Sequence, residues 1–364
     1  MERAQRLGVL TSGGDAPGMN AALRAAHRVG TALGFEVIGF EEGYRGLIEG
    51  RLQRLDASRL DDAARRGGTM LGSARSKEFI TEAGQQRAKE TILRERLGAL
   101  LVVGGNGSLT GAQKLEGAPT FDGRNLRVAG LPASIDNDLG CTSMAIGVDT
   151  AMNTIVEACD RICDTASAHR RTFIIEVMGR DCGYLAMTSA VAAGADVVLI
   201  RELEKSDDAL VDQIVLAIER AYGDPARRRL LVVKSEGVKL DSTRLKEAVD
   251  ARIIPKIPDV DTRVTVLGHV VRGGSPSAFD RLLAARLANA ATRALGEGES
   301  GFMAGWAGPG LPSGAGKLSP HDPYVVLTPI GEVLKETARL MDGTSDIAKW
   351  RRKIFSETEA ILIG

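Results

Sequence analysis

Gly130-Leu131-Pro132-Ala133-Ser134-Ile135-Asp136-Asn137-Asp138 sets two carboxylates two residues apart, directly after the apolar run 126–131. In extended backbone, residues i and i+2 point to the same side. Asp136 and Asp138 are therefore expected to aim at one spot from the carboxyl end of a strand, where open α/β sheets bind ligands. One carboxylate suits taking a proton from a substrate hydroxyl, and the other suits holding a cation near a phosphate. Two acids in a loop are equally an ordinary solvated surface; what surrounds them in the chain decides.

Outward from that segment, short apolar strands alternate with helices. Residues 7–11 read as a strand, followed by Ser12-Gly13-Gly14-Asp15-Ala16-Pro17-Gly18 and a helix from 19 to about 33. Residues 36–40 and 99–103 read as further strands, the second ending in Gly104-Gly105-Asn106-Gly107-Ser108. A strand at 128–131 precedes a helix at about 149–165. Further strands are predicted at 172–177, 197–200, 230–233 and 264–267, with helices at 184–193, 207–222 and 279–295. This βαβ rhythm predicts a largely parallel, helix-covered sheet. No tandem repeat or low-complexity linker stands out, and the Gly/Pro/Ser-rich stretch 308–317 reads as a flexible surface loop.

The 364 residues suffice for two domains, each with its own core. Lys+Arg and Asp+Glu balance at 47 each, so no overall charge argues for nucleic acid or membrane. No apolar run reaches the length of a membrane span, and the charged N-terminus turns quickly into a strand without a secretory signal. A cytoplasmic protein is expected. Of the cysteines Cys141, Cys159, Cys163 and Cys182, the middle two share a helix face, but no close histidine completes a zinc set. They read as buried free thiols. Abundant glycine and scarce aromatic residues suit many tight strand-to-helix turns.

Two glycine clusters at strand ends, Gly13-Gly14 and Gly104–Ser108, suggest phosphate binding. Glycine lets backbone approach a phosphate, and the following helix offers unpaired N–H groups and a positive dipole end. Neither cluster has the Gly-Lys-Ser/Thr ending of a Walker A loop or the Gly-x-Gly-x-x-Gly dinucleotide spacing, which argues against a nicotinamide enzyme. Arginines stand beside glycines or strand ends in Gly72-Ser73-Ala74-Arg75, Ala168-His169-Arg170-Arg171, Val177-Met178-Gly179-Arg180 and His269-Val270-Val271-Arg272-Gly273-Gly274. Each can chelate phosphate by two parallel hydrogen bonds. Two phosphate cradles, a carboxylate pair and these arginines together describe transfer between two phosphorylated ligands.

The segments Gly8-Val9-Leu10-Thr11-Ser12-Gly13-Gly14-Asp15-Ala16-Pro17-Gly18-Met19-Asn20, 130–138, Glu176-Val177-Met178-Gly179-Arg180 and Val266-Leu267-Gly268-His269-Val270-Val271-Arg272-Gly273-Gly274-Ser275-Pro276 closely resemble the bacterial ATP-dependent type of 6-phosphofructokinase. The resemblance runs in order from about residue 6 to about residue 295 and is weaker over the last 65 or so. It implies an α/β fold of two αβα domains with mainly parallel sheets, the active site in the cleft between them, and a homotetramer. Residues 1–147 and 271–325 are the expected nucleotide-binding domain, and 148–270 and 326–364 the fructose 6-phosphate-binding domain.

Carried over motif by motif, the resemblance implies that Asp136 is the general base on the sugar 1-hydroxyl, with Ser134 and Asp138 beside it. Arg180, next to Gly179, stabilises the transferring phosphoryl, and Met178 and Glu236 line the sugar site. Arg171 and Arg263 reach the 6-phosphate from a neighbouring subunit, and His269 and Arg272 from the same one. Gly14, Tyr44, Arg75, Gly107, Ser108 and Gly111 form the nucleotide site, with Mg²⁺ at position 106 and Asp138. Small Gly107 and Ala133 favour ATP over pyrophosphate, whose users typically carry Asp and Lys there.

Asn106 departs from the family pattern, which has a Mg²⁺-binding aspartate there. A neutral amide is a weaker ligand for a hard cation, so a weakly active or regulatory paralogue is the alternative reading. Arg24 and Arg28, four apart on the first helix, share a face. The resemblance joins them to Asp62, Asp196, Arg227 and Arg228 as an effector site for ADP or phosphoenolpyruvate; a solvated basic helix is the plain alternative. Lys234 shares the face of Glu236 on a strand, and reads either as a substrate contact or as a surface lysine.

Overall fold

The computed structural model describes residues 5–227, 229–307 and 316–362. Most of the Gly/Pro/Ser-rich stretch 308–317, and Arg228, lie outside the described residues. In chain order the elements begin with β1 (Arg6–Ser12), α1 (Met19–Ala32), β2 (Glu36–Phe40), α2 (Tyr44–Glu49), β3 (Leu52–Arg54), α3 (Ala57–Ala63), α4 (Glu82–Arg94), β4 (Leu97–Gly104), α5 (Asn106–Leu115) and β5 (Arg127–Pro132). There follow α6 (Val148–His169), β6 (Thr172–Val177), α7 (Tyr184–Ala192), β7 (Val197–Leu199), α8 (Asp207–Gly223), β8 (Leu230–Ser235), α9 (Ser242–Ile253) and β9 (Thr262–Val266). The chain closes with α10 (Ala278–Gly296), β10 (Phe302–Trp306), β11 (Lys317–Ser319), β12 (Asp322–Pro329), α11 (Ile330–Met341) and α12 (Asp346–Leu362).

The chain divides into two packed units. Unit one runs through Ile135 and adds Leu139–Thr150 and Arg272–Ala338; unit two holds Asp136–Asp138, Ala151–Val271 and the residues from Arg339 onward. The sheet of unit one has the order β11-β12-β10-β5-β4-β1-β2-β3. Its five central strands are parallel, and the outer strands β3, β11 and β12 pair antiparallel. β4 lies in the middle because Leu97–Gly104 is a continuous run buried along its length, as a strand covered on both faces must be. In α1, the buried residues Met19, Ala22, Leu23, Ala26 and Gly30 recur at helical spacing and form its core face.

The sheet of unit two, β7-β8-β6-β9, is parallel throughout. Its core gathers Ile174, Val197, Leu199, Val232 and the apolar faces of α8 and α9. Ser206 caps α8 on Ala209 N at 3.3 Å, and Asp207 and Asp208 sit in its first turn, where the helix dipole favours acids. Parallel αβ layering is thus present in both units.

Two expectations change. The boundary placed at residue 325 falls inside β12, which pairs with β10 as far as Pro329 opposite Phe302. Ile330 N then donates to Gly301 O at 2.8 Å, and the fully buried Ile330 and Val333 join the core of unit one. The extended backbone assumed for 134–138 is also absent. Residues 135 and 136 form a turn and Asn137 has φ 51°. The chain must leave the sheet edge here, and asparagine is among the few residues that accept the left-handed region. Strand alternation therefore does not aim Asp136 and Asp138 together.

Candidate active site

Register brings three loops of unit one to one edge. Ser12 lies opposite Gly104, and Gly104 opposite Pro132, so β1, β4 and β5 end side by side. Ser108 Oγ donates to Ser12 O at 2.9 Å, joining α5 to the end of β1. Ser73 Oγ donates to Gly13 O at 2.6 Å, which ties the loop carrying Arg75 to the first glycine cluster. Arg75 itself is exposed. Arg272 comes to the same loop: its Nη1 is 3.9 Å from Asp15 Oδ1 and stands against Gly14. Asn106 is the first residue of α5, whose opening N–H groups and dipole favour an anion. A Cβ placed on Gly107 would meet nothing within 4 Å, so that position is open. Ser134 stands next to Gly105.

Tyr44 has a different place from the one expected. It is 4% exposed, stacks on Phe79 with ring centroids 4.1 Å apart, and donates its hydroxyl to Ser108 O at 2.6 Å. Burial pushes its phenol well above the usual tyrosine value. A Cβ on Gly111 would lie 2.5 Å from the Tyr44 ring, so glycine permits this close approach. Tyr44 therefore packs against the buried face of α5 that carries Gly111 instead of presenting its ring to solvent.

In unit two, Val177 lies opposite Ser235 and Glu176 opposite both Lys234 and Val266, so β6, β8 and β9 also end together. Met178 is buried and Gly179 has φ 119°, with a would-be Cβ only 2.5 Å from Cys182 O. Only glycine fits this turn. It leads to the exposed Arg180. Glu236 N donates to Val177 O at 2.9 Å, which holds Glu236 at the end of β8. A cavity of about 600 Å³ opens here, and Asp138, Arg180 and Glu236 line it together with Leu340, Arg351 and other residues of the C-terminal segment.

Arg171 and Arg263 meet on one acid. Asp261 Oδ2 accepts from Arg171 Nε at 2.7 Å, and Asp261 Oδ1 pairs with Arg263 Nε at 2.8 Å. His269 is exposed in the 3-10 turn Gly268–Arg272 of unit two, whereas Arg272 belongs to unit one.

The effector candidates are only partly united. Arg24 and Arg28 share Asp61, at 2.5 and 2.7 Å, and it is Asp61 that faces them, not Asp62, which is exposed. Helical geometry turns these neighbouring acids about 100° apart, so only one can face α1. In unit two, Asp196 accepts from Arg227 Nη1 at 3.3 Å and from Leu231 N at 2.8 Å. Burial pushes the Asp196 carboxyl up. Arg228 is outside the described residues.

Lys234 is neither a surface lysine nor a substrate contact: it is 1% exposed and its Nζ is 2.9 Å from Glu176 Oε2. All four cysteines are free thiols. Sequence reasoning missed Asp61, Asp261 and the C-terminal wall of the cavity. The basic run Trp350-Arg351-Arg352-Lys353 was the one visible hint of that wall. No helix among the described residues is long and apolar enough to cross a membrane.

Comparison with known proteins gives a consistent set of relatives. A family model described as Phosphofructokinase matches residues 6–295. A protein of Natranaerobius thermophilus named ATP-dependent 6-phosphofructokinase is 44% identical over 301 residues, covering 83% of this chain and 89% of that one. One of the same name from Listeria welshimeri is 40% identical over 346 residues, covering 94% and 98%. Among solved structures, phosphofructokinase from Saccharomyces cerevisiae superposes with a TM-score of 0.81 at 32% identity over 98% of this chain. This chain spans 48% of that yeast chain.

Proposed function

The chain belongs to the phosphofructokinase family, and on that premise we propose that it phosphorylates fructose 6-phosphate to fructose 1,6-bisphosphate with ATP, a kinase step of glycolysis. The observation that carries the site assignment is the cavity of unit two, where Asp138, Arg180 and Glu236 come together at the carboxyl ends of β6 and β8.

Asp136 takes the proton of the sugar 1-hydroxyl, whose oxygen attacks the γ-phosphorus as the bond to ADP breaks. Arg180 neutralises charge on the transferring phosphoryl, and Ser134 helps place it. Glu236 and Met178 hold the sugar. Arg171, Arg263, His269 and Arg272 hold its 6-phosphate, the first two contributed to a neighbouring subunit of a homotetramer. Gly14, Arg75, Gly107 and Ser108 cradle the nucleotide at the edge where β1 and β4 end. A carboxylate and an amide oxygen are both oxygen donors of the kind a Mg²⁺ would accept. Asp138 and Asn106 are the residues that would hold it, and it would supply charge neutralisation.

ATP is supported as donor by the open space at Gly107 and by Ala133, which is 1% exposed and bridges to Ile146, a setting hostile to a lysine ammonium. Cytoplasmic location and control by ADP or phosphoenolpyruvate through Arg24, Arg28, Asp196 and Arg227 complete the reading.

The test is a coupled assay with Mg²⁺ and either ATP or pyrophosphate, on wild type and Asp136→Ser. ATP-dependent turnover that Asp136→Ser lowers to a small residue while sugar phosphate binding persists is the expected result. Turnover with pyrophosphate alone overturns the donor. Binding of both substrates without turnover selects the regulatory reading that Asn106 raises.

A further inference from the structure

The C-terminal segment carries a charged side chain that the reading above leaves without a role. Arg351, on α12, is 7% exposed. Its Nη1 donates to Asn137 O at 3.0 Å and to Cys182 Sγ at 3.2 Å, and its guanidinium carbon stands 4.8 Å from the centre of the Tyr184 ring. All of these residues belong to unit two.

The partners are what make this contact informative. Asn137 is fully buried, has φ 51°, and stands between Asp136 and Asp138. Cys182 closes the tight Gly179 turn that presents Arg180, and Tyr184 starts α7 directly after it. One guanidinium therefore touches both the loop that carries the two carboxylates and the turn that carries the arginine. Arg351 also lines the same cavity as Asp138 and Arg180. A buried guanidinium needs hydrogen bonds and a ring face to offset lost hydration, and here Nη1 supplies both bonds while the planar group lies by the Tyr184 ring. A left-handed non-glycine residue persists only where its surroundings hold it there.

We infer that Arg351 is a positioning residue for phosphoryl transfer: it fixes the Asn137 backbone and so sets Asp136 and Asp138 against the Arg180 turn. The inference rests on the reading of Asp136 as the base. It gives residues 339–362, where the sequence resemblance fades, a part in the reaction.

A double-mutant cycle of Arg351→Met and Asp136→Ser tests it, with kcat and both KM values from the ATP- and Mg²⁺-dependent assay and thermal melting of each protein. Misplacing a catalytic group by about 1 Å costs on the order of 100-fold in rate. Arg351→Met should therefore lower kcat by about 10–100-fold, with both KM values changed by less than about threefold. In the Asp136→Ser background its effect on the residual kcat should be several-fold smaller, because one of the two carboxylates it positions is gone. Arg351→Lys keeps a charged donor but loses the planar contact with the Tyr184 ring, and its loss should be intermediate. If Arg351→Met does not fold, Arg351→Lys carries the same cycle. A kcat near wild type in a folded Arg351 variant, or equal losses in both backgrounds, overturns the inference. Full turnover by Asp136→Ser alone overturns the base assignment instead.

Discussion

Lys234 Nζ and Glu176 Oε2 lie 2.9 Å apart on adjacent strands, register partners of β8 and β6, with the lysine 1% exposed and the glutamate carboxylate also accepting from Ser242 Oγ. The pair lies two residues before Glu236 and Met178 along the chain, so it braces the strand ends that carry the proposed sugar site. Removing one member of a buried pair leaves an uncompensated charge, at a cost of about 3–5 kcal/mol. Glu176 is 20% exposed and keeps its Ser242 hydrogen bond, so Lys234→Met should lower stability by somewhat less, about 2–4 kcal/mol in denaturant titration. The double change Lys234→Met and Glu176→Leu should recover most of that loss. A sugar KM that rises with unchanged stability would instead make Lys234 a substrate contact.

Asp261 holds Arg171 through Nε and Arg263 through Nε and Nη2. Asp261→Asn should raise the KM for fructose 6-phosphate about 3–10-fold with little change in kcat, since weakening the brace costs about 1 kcal/mol of binding. Burial pushes the Asp261 carboxyl up, but hydrogen bonds from Arg171 and Arg263 outweigh it and hold the carboxyl below its usual value. A depressed carboxyl stabilises the fold above its unfolded value, about pH 4, and that contribution fades as pH falls through the lowered one. Side-chain NMR titration of Asp261 measures the direction.

Asn106 opens α5, and Asn106→Asp adds a carboxylate both to the favourable end of a helix dipole and to the proposed Mg²⁺ position. Turnover should rise about 10-fold or more, and the Mg²⁺ requirement should fall, in a titration of initial rate at saturating fructose 6-phosphate. Wild type already turning over at roughly 1–100 s⁻¹ with no gain from the substitution would make Asn106 a tolerated variant.

Tyr44→Phe deletes the hydroxyl that donates to Ser108 O and leaves the ring on Phe79. Stability should fall by about 1–2 kcal/mol. The KM for ATP should stay within about twofold, because the side chain is buried beneath α5. A large increase in that KM without loss of stability would return Tyr44 to the nucleotide site.

Burial pushes the thiols of Cys141 and Cys182 up to about 11 and that of Cys159 up to about 12. Thiolate is the reactive form, so the folded protein should react slowly with iodoacetamide at pH 7.5. Cys141 and Cys163, both half-buried, should be labelled before the buried Cys159 and Cys182. Peptide mass mapping of the labelled sites checks the order, and rapid modification of Cys159 would contradict it.

What the sequence determined by itself is local. The apolar runs of β1, β4, β5, β6 and β8, the periodic faces of α1 and α8, and the glycines at strand ends recur within a few residues. Helix and strand periods write them directly into the chain. Those runs, with the motifs around Gly13, Asp136, Arg180 and His269, were enough for the fold class and the family. Tertiary structure alone decided the partners. Arg171 and Asp261 are 90 residues apart, and Arg351 and Asn137 are 214 apart. The choice of Asp61 over Asp62, the burial of Lys234 and Tyr44, and the turn at 135–137 depend on what packs nearby. A side chain's charge is visible in sequence, but whether it meets water, a ring or an opposite charge is set by distant residues that leave no local period.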